Sequence, residues 1–396
     1  MKTSHVHASD VRAVARLVTD ATLELTDLVE GVHAGIVRAP RDRLRGISGF
    51  VYRTVRGVTR TAGLTADTVL GQLVPLFGTR HSSPAREAIL SAVNGVVGDY
   101  LTSTGNPLAI SMQFRVNGKP LTPAALPDAS RKLVVLVHGL CMNDLQWRRD
   151  GHNHGTALAH DLGYTPVYLH YNSGQHISDN GRLFAARLES LLARWPVPVD
   201  ELVIVGHSMG GLVTRSACHY GKEAGHAWPA RLRKLVFLGT PHHGAPLERV
   251  GNWLETVLKA MPYAAPFARL GMLRSAGITD LRHGNVLEED WEGRDRFQRG
   301  ADKRKPLSLP EDVACYAIAG KLSRLTGDGL VTVQSALGQH GEASRTLCFP
   351  DDHQWIAEGV GHLDLLSDAS VYERIGNWLA DRQNAATTFN ARATSS

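Results

Sequence analysis

A serine stands among small residues in Gly206-His207-Ser208-Met209-Gly210-Gly211, directly after the apolar run 202–205 and before the helical stretch 210–220. Strand, sharp turn and helix in that order lift a serine hydroxyl to the top of a sheet, and flanking glycines leave room for so tight a turn. The start of the following helix favours negative charge developing beside the serine. Such a serine does acyl transfer, and it needs a base that an acid orients. Downstream, Gly327-Asp328-Gly329 follows the strand-like run 313–319, and Gly361-His362-Leu363 lies in a glycine-flanked loop ahead of the last helical stretch. Ser208, Asp328 and His362 therefore read as nucleophile, acid and base. Asp351 or Asp352 could replace the acid, and His340 and His353 are the nearest rivals for the base. A tetrahedral intermediate also needs hydrogen-bond donors. One is the backbone N–H of Met209. The second belongs to the loop Val137-His138-Gly139-Leu140-Cys141, where Leu140 N–H is the choice and Gly139 allows the turn. The His138 side chain reads as structural rather than catalytic.

These residues need a frame to hold them. Runs 133–137, 203–205, 235–238 and 313–318 are continuously apolar, as strands buried on both faces are, and 167–171 is a weaker case. A short strand is expected at 346–349, and 111–116 followed by Asn117-Gly118 predicts a hairpin. Helical patterns at 155–162, 181–195 and 210–220 alternate with the strands, which gives an α/β fold with a mainly parallel central sheet flanked by helices. About 65 residues, 244–310, interrupt that rhythm, the length of a lid or cap over a site. They include a helical segment at 253–261 and a charged section at 288–305. Residues 1–105 read as a helical extension of three helices, the last opened by Ser83-Pro84; residues 106–382 form the catalytic domain, and 383–396 a polar tail.

The composition is that of a globular protein, 43% hydrophobic and 20% charged over 396 residues. No uncharged apolar run reaches the ~18–20 residues of a membrane span, so no transmembrane segment is expected. The N-terminus lacks an apolar signal-peptide core, so a cytoplasmic location is expected. Cys141, Cys218, Cys315 and Cys348 are dispersed, without zinc spacing, and read as reduced thiols. The net charge is +5, yet residues 31–80 hold eight arginines against Asp42 and Asp67. Within 46–78, Ile47, Phe50, Val51, Val55 and Val58 share one helical face, with Arg53, Arg56 and Arg60 opposite. Packing against neighbouring helices is the first reading of that amphipathic helix. Peripheral contact with an anionic membrane is the second, and no nucleic-acid partner is expected.

Taken together, LVVLVHGLCMN, LVIVGHSMGGLV, KLVFLGTPHHGAP, GDGLV and GHLDLL resemble α/β-hydrolase lipases and esterases, in particular bacterial triacylglycerol lipases and GPI inositol-deacylase-like hydrolases. The resemblance covers about residues 110–382. It implies an α/β-hydrolase fold, no cofactor, an ester or lipid substrate, and a site lined by His138, Gly139, His207, Gly210, Thr240 and His242, with His242 and His243 as wall residues. Asp364, two residues after His362, fits a calcium ligand of some bacterial lipases, but no partner aspartate is evident upstream, so no metal is expected. The leading function is a lipase- or esterase-like serine carboxylic-ester hydrolase. A thioesterase, amidase or acyltransferase on the same triad is the alternative within enzymes. A non-catalytic interaction protein using the N-terminal helices is the alternative outside them.

Overall fold

The computed structural model describes residues 83–122, 126, 128–245, 275–293, 304–322 and 327–380, with Arg16, Thr19 and Arg60. The amphipathic helix within 46–78, the helical segment 253–261 and the tail 383–396 lie outside the described residues, apart from Arg60. The chain divides into two compact units, residues 1–87 with 100–109, and residues 88–99 with 110–396. Helix α1 (Pro84–Ser103) contributes to both. It starts where Ser83 Oγ accepts from Arg86 N at 3.2 Å, with proline in its first turn, as the sequence predicts. In the first unit it ends at Gly105, at φ 60, with Asn106 N donating to Leu101 O.

The second unit is built on an eight-stranded sheet. Its strands are β1 (Gln113–Val116), β2 (Lys119–Pro120), β3 (Lys132–Val137), β4 (Thr165–His170), β5 (Glu201–His207), β6 (Leu232–Leu238), β7 (Ala314–Lys321) and β8 (Gln354–Glu358). They lie in the order β2-β1-β4-β3-β5-β6-β7-β8. The hairpin β1–β2 turns through Asn117 and Gly118, both at positive φ, and β1 also runs antiparallel to β4. From β4 to β8 every pair is parallel. The connecting helices include α2 (His154–Leu162), α3 (Ile177–Ala193), α4 (Met209–Glu223), α5 (Ala276–His283) and α6 (Ala369–Ala380). Strands β3 and β5 are apolar on both faces because helices cover both, and residues 133–137 and 202–205 are fully buried. In β6, Lys234 is buried among apolar neighbours and donates to Trp378 O and Leu379 O, at the carbonyl end of α6.

One expectation is corrected. Residues 346–349 are not a strand: Leu347 and Phe349 are buried and Cys348 exposed, so the alternation is real, but Leu347 N donates to Gly338 O rather than to a sheet neighbour. The last strand is β8, paired with β7 after a short turn at Asp351–His353. It is an edge strand of mixed exposure, which leaves little apolar pattern to read. Of the stretch 244–310, the described parts include α5 and a turn at Glu288–Asp290.

Candidate active site

Parallel strands gather the loops that leave their C-terminal ends on one edge of a sheet. Here β3 delivers residues 138–140, β5 delivers Ser208, and β6 delivers 239–243. Asp328 follows β7 and His362 follows β8. Ser208 takes φ 55 and ψ −126, an unfavourable backbone for a non-glycine residue. The turn is held by Ser208 N donating to Leu238 O at 2.8 Å and Gly211 N to Ser208 O at 3.0 Å. It also needs close backbone approach, since a Cβ on Gly210 would lie 2.2 Å from Val137 O. Ser208 is fully buried, and its Oγ makes no hydrogen bond among the described residues.

Asp328 and His362 are brought together. His362 Nδ1 lies 2.7 Å from Asp328 Oδ2, and His362 N donates to Asp328 O at 3.0 Å. Asp328 Oδ1 accepts from Leu330 N and Val331 N at 3.0 and 2.8 Å, which fixes the carboxylate plane. With Nδ1–H donated to the carboxylate, Nε2 is the nitrogen that carries the lone pair. The backbone carbonyl of His362 meets His207 Nε2 at 3.0 Å, and the two rings are 4.8 Å apart. Burial, then the neighbouring His362, pushes the His207 pKa well below its ordinary value, so this ring is a neutral prop behind the elbow. Trp147, fully buried, meets His207 edge-on at 6.4 Å.

The loop after β3 reaches the serine. A Cβ on Gly139 would come within 3.0 Å of Ser208 Cβ, so only hydrogen separates the two backbones there. No hydrogen bond from Leu140 N is found among the described residues. Met209 opens α4, so its N–H has no acceptor within the helix. His138 is buried, stacks on Tyr171 with centroids 4.4 Å apart, and places Nδ1 2.9 Å from Gly139 O. Burial lowers its pKa to about 3, and Tyr171 donates to His138 O at 2.7 Å, so the residue acts as a loop brace.

Thr240 is buried against Gly211, where a Cβ would lie 2.0 Å from its Oγ1. His242 instead meets Arg215 at 3.5 Å, and His243 Nε2 lies 3.0 Å from Gly338 O; neither is among the contacts of Ser208, Asp328 or His362. The rivals stand elsewhere. Asp351 and Asp352 are exposed, His340 packs on His243, and His353 packs on Tyr316 with Nδ1 at Cys315 O. Asp364 accepts from Gly361 N and lies 3.7 Å from Arg149. No group of three or more metal-ligating side chains occurs among the described residues, and no helix among them is long and apolar enough to cross a membrane.

Two supports escaped sequence reading. One is a buried cluster in which Asp144 faces Arg115 and His170, each at 3.3 Å, next to His138. It joins residues far apart in sequence, and no spacing announces it. The other is the segment 88–99 of α1, which packs on the loop after β3. Gly95 faces Cys141, Gly98 faces Asn172, and Cys141 Sγ lies 3.8 Å from Ala92 O. The small residues Ser91, Gly95 and Gly98, spaced as one helix face, were the available signal.

Residues 128–302 match the family profile described as the PGAP1-like alpha/beta domain. No curated protein matches the chain significantly. A lipase from Bacillus licheniformis in its mature form is similar over 68% of this chain and 97% of its own, at 17% identity and a TM-score of 0.41. A Pyrococcus furiosus esterase is similar over 64% and 83%, at 18% identity and a TM-score of 0.39. A type II thioesterase of a yersiniabactin pathway is similar over 62% and 92%, at 15% identity and a TM-score of 0.39. The parallel sheet with its serine turn between strand and helix is an α/β-hydrolase type of fold, and the profile match on residues 128–302 is consistent with that superfamily.

Proposed function

We propose that the protein is a serine carboxylic-ester hydrolase. The observation that carries this reading is the buried His362–Asp328 pair, 2.7 Å apart, on the same sheet edge as a serine held at φ 55 between strand and helix. A dead scaffold has no need to hold an unfavourable serine backbone on the same sheet edge as an oriented imidazole.

Ser208 Oγ attacks the acyl carbonyl carbon while its proton passes to His362 Nε2, and Asp328 stabilises the imidazolium that forms. The carbonyl electron pair moves onto oxygen, where Leu140 N–H and Met209 N–H receive it. The intermediate collapses, and the alkoxide leaves with the proton from His362. Water, deprotonated by the same nitrogen, then attacks the acyl-serine; the carboxylic acid departs and Ser208 regains its hydrogen. Ser208 is itself fully buried, as are its chain neighbours His207 and Met209. The triad defines acyl transfer and leaves the choice of leaving group to the pocket around it.

The test is hydrolysis of p-nitrophenyl esters from acetate to palmitate, with labelling by a fluorophosphonate probe. Wild type should turn over and label, and Ser208→Ala should do neither. Folded wild type that neither labels nor hydrolyses any ester would overturn the reading.

A further inference from the structure

A backbone N–H points where its peptide plane points. In a trans peptide the N–H and the C=O face opposite ways, so whatever holds Gly139 O directs Leu140 N–H. Gly139 O lies 2.9 Å from His138 Nδ1 and accepts from Met142 N at 3.3 Å. A carbonyl can only accept, so His138 Nδ1 carries the hydrogen. Leu140 is fully buried, yet its N–H makes no hydrogen bond among the described residues. Buried amides are normally paired, and this one stands on the sheet edge that carries Ser208.

The loop after β4 grips both ends of that peptide. Strands β3 and β4 are parallel neighbours with Val137 opposite Leu169, so the loops leaving them run side by side. Tyr171 lays its ring on His138 at 20° between planes, and its hydroxyl donates to His138 O at 2.7 Å. Two residues on, Ser173 Oγ accepts from Cys141 N at 3.0 Å. One loop thus holds residues 138 and 141, which flank Gly139 and Leu140. Tyr171 and Ser173 are both buried. Their loop is itself fixed: Asn172 Nδ2 donates to Gly98 O on α1, and Asn180 Nδ2 on α3 donates to Asn172 O. Gly277 N on α5 donates to Gly174 O at 3.0 Å. Cys141 is held at φ 61, a backbone that a residue with a side chain keeps only where its surroundings impose it.

We propose that Tyr171 and Ser173 are positioning residues that preset the Gly139–Leu140 peptide, with Leu140 N–H turned to receive the oxyanion before substrate binds. Their role rests on the ester-hydrolase reading, and neither side chain touches the reacting atoms. A donor fixed in advance costs no reorganisation when negative charge develops on the substrate oxygen. Without the Tyr171 hydroxyl or the Ser173 acceptor, one end of the segment 138–141 is released. The peptide plane can then turn and carry Leu140 N–H out of line.

Tyr171→Phe keeps the ring and its stack on His138 and removes only the hydroxyl; Ser173→Ala removes only the acceptor. Kinetics on p-nitrophenyl esters, with active sites counted by the fluorophosphonate probe, test the pair. Each variant should lose about tenfold or more in kcat per active site, towards the 10²–10³-fold of a missing donor, with KM nearly unchanged. A trifluoromethyl ketone, whose adduct on Ser208 carries the same oxyanion, should lose affinity by a similar factor. Ser173→Thr, which keeps the acceptor, should retain most of the kcat. A general packing defect would instead lower the number of active sites and leave kcat per site and inhibitor affinity alone. If one variant fails to fold, the other decides. Wild-type kcat and inhibitor affinity in the folded variants overturn the positioning role and leave the ester-hydrolase reading intact. Folded wild type that neither labels nor hydrolyses overturns that reading, and the positioning role with it.

Discussion

Replacing Gly95 by alanine probes how a helix distant in sequence from the proposed triad supports the proposed reaction. A Cβ there would lie 2.1 Å from Cys141 Sγ and 3.0 Å from the Cys141 Cα and N. Neither side has slack. Gly95 O accepts from Ser275 Oγ at 2.7 Å, Cys141 N donates to Ser173 Oγ at 3.0 Å, and Cys141 sits at φ 61. Overpacking of this kind costs about 1–3 kcal/mol, and contact with backbone as well as sulfur places Gly95→Ala towards the upper end. Relief must come from moving Cys141, whose neighbour Leu140 carries the proposed oxyanion donor. Loss of one such donor lowers kcat by about 10²–10³-fold. KM should change little, because the interaction exists only in the transition state. The rescue is Gly95→Ala with Cys141→Gly, which removes the sulfur and suits φ 61. The 3.0 Å contacts remain, so recovery should be partial. Urea unfolding and p-nitrophenyl ester kinetics on the single and double variants read both effects. A Gly95→Ala protein with wild-type unfolding midpoint and kcat would refute the packing argument. Lost stability with wild-type kcat would refute the link to the oxyanion loop.

Gly239→Ala acts on the proposed triad itself. Gly239 has φ 55, and a Cβ would approach Asp328 Oδ2 to 2.9 Å and His362 Nδ1 to 3.2 Å, so kcat should fall by up to about 10⁴, the scale of a lost orienting carboxylate; ester turnover near the wild-type rate would refute it. Stability should fall on acidification, because burial holds His138 at a pKa of about 3 and His154 at about 4, while the unfolded chain protonates them near 6.5. The folded values are the lower ones, so this stability is present above pH 6.5 and declines as pH falls below it, at about 1.4 kcal/mol per pH unit for each ring. Urea unfolding at pH 7.5, 6 and 5 measures the slope, and a flat profile would contradict it.

Features that obey local rules are legible in the amino-acid order alone. Apolar runs such as 133–137 and 202–205, bounded by turn residues, read as buried strands, Asn117-Gly118 favours a tight turn, and glycines around Ser208 mark a backbone that excludes side chains. The chain order of the proposed serine, acid and base is equally local, because each residue follows its own strand. Tertiary structure decided the rest. Strand β8 at Gln354–Glu358 is recognised only by its pairing with β7, since an edge strand buries too little to show a pattern. The alternation at 346–349, which looks like a strand, satisfies its backbone on Gly338 instead. The brace of Asp144, Arg115 and His170 and the seat of residues 88–99 on the loop after β3 both join residues distant along the chain. Such contacts depend on how elements pack in three dimensions, and packing leaves no period in a sequence.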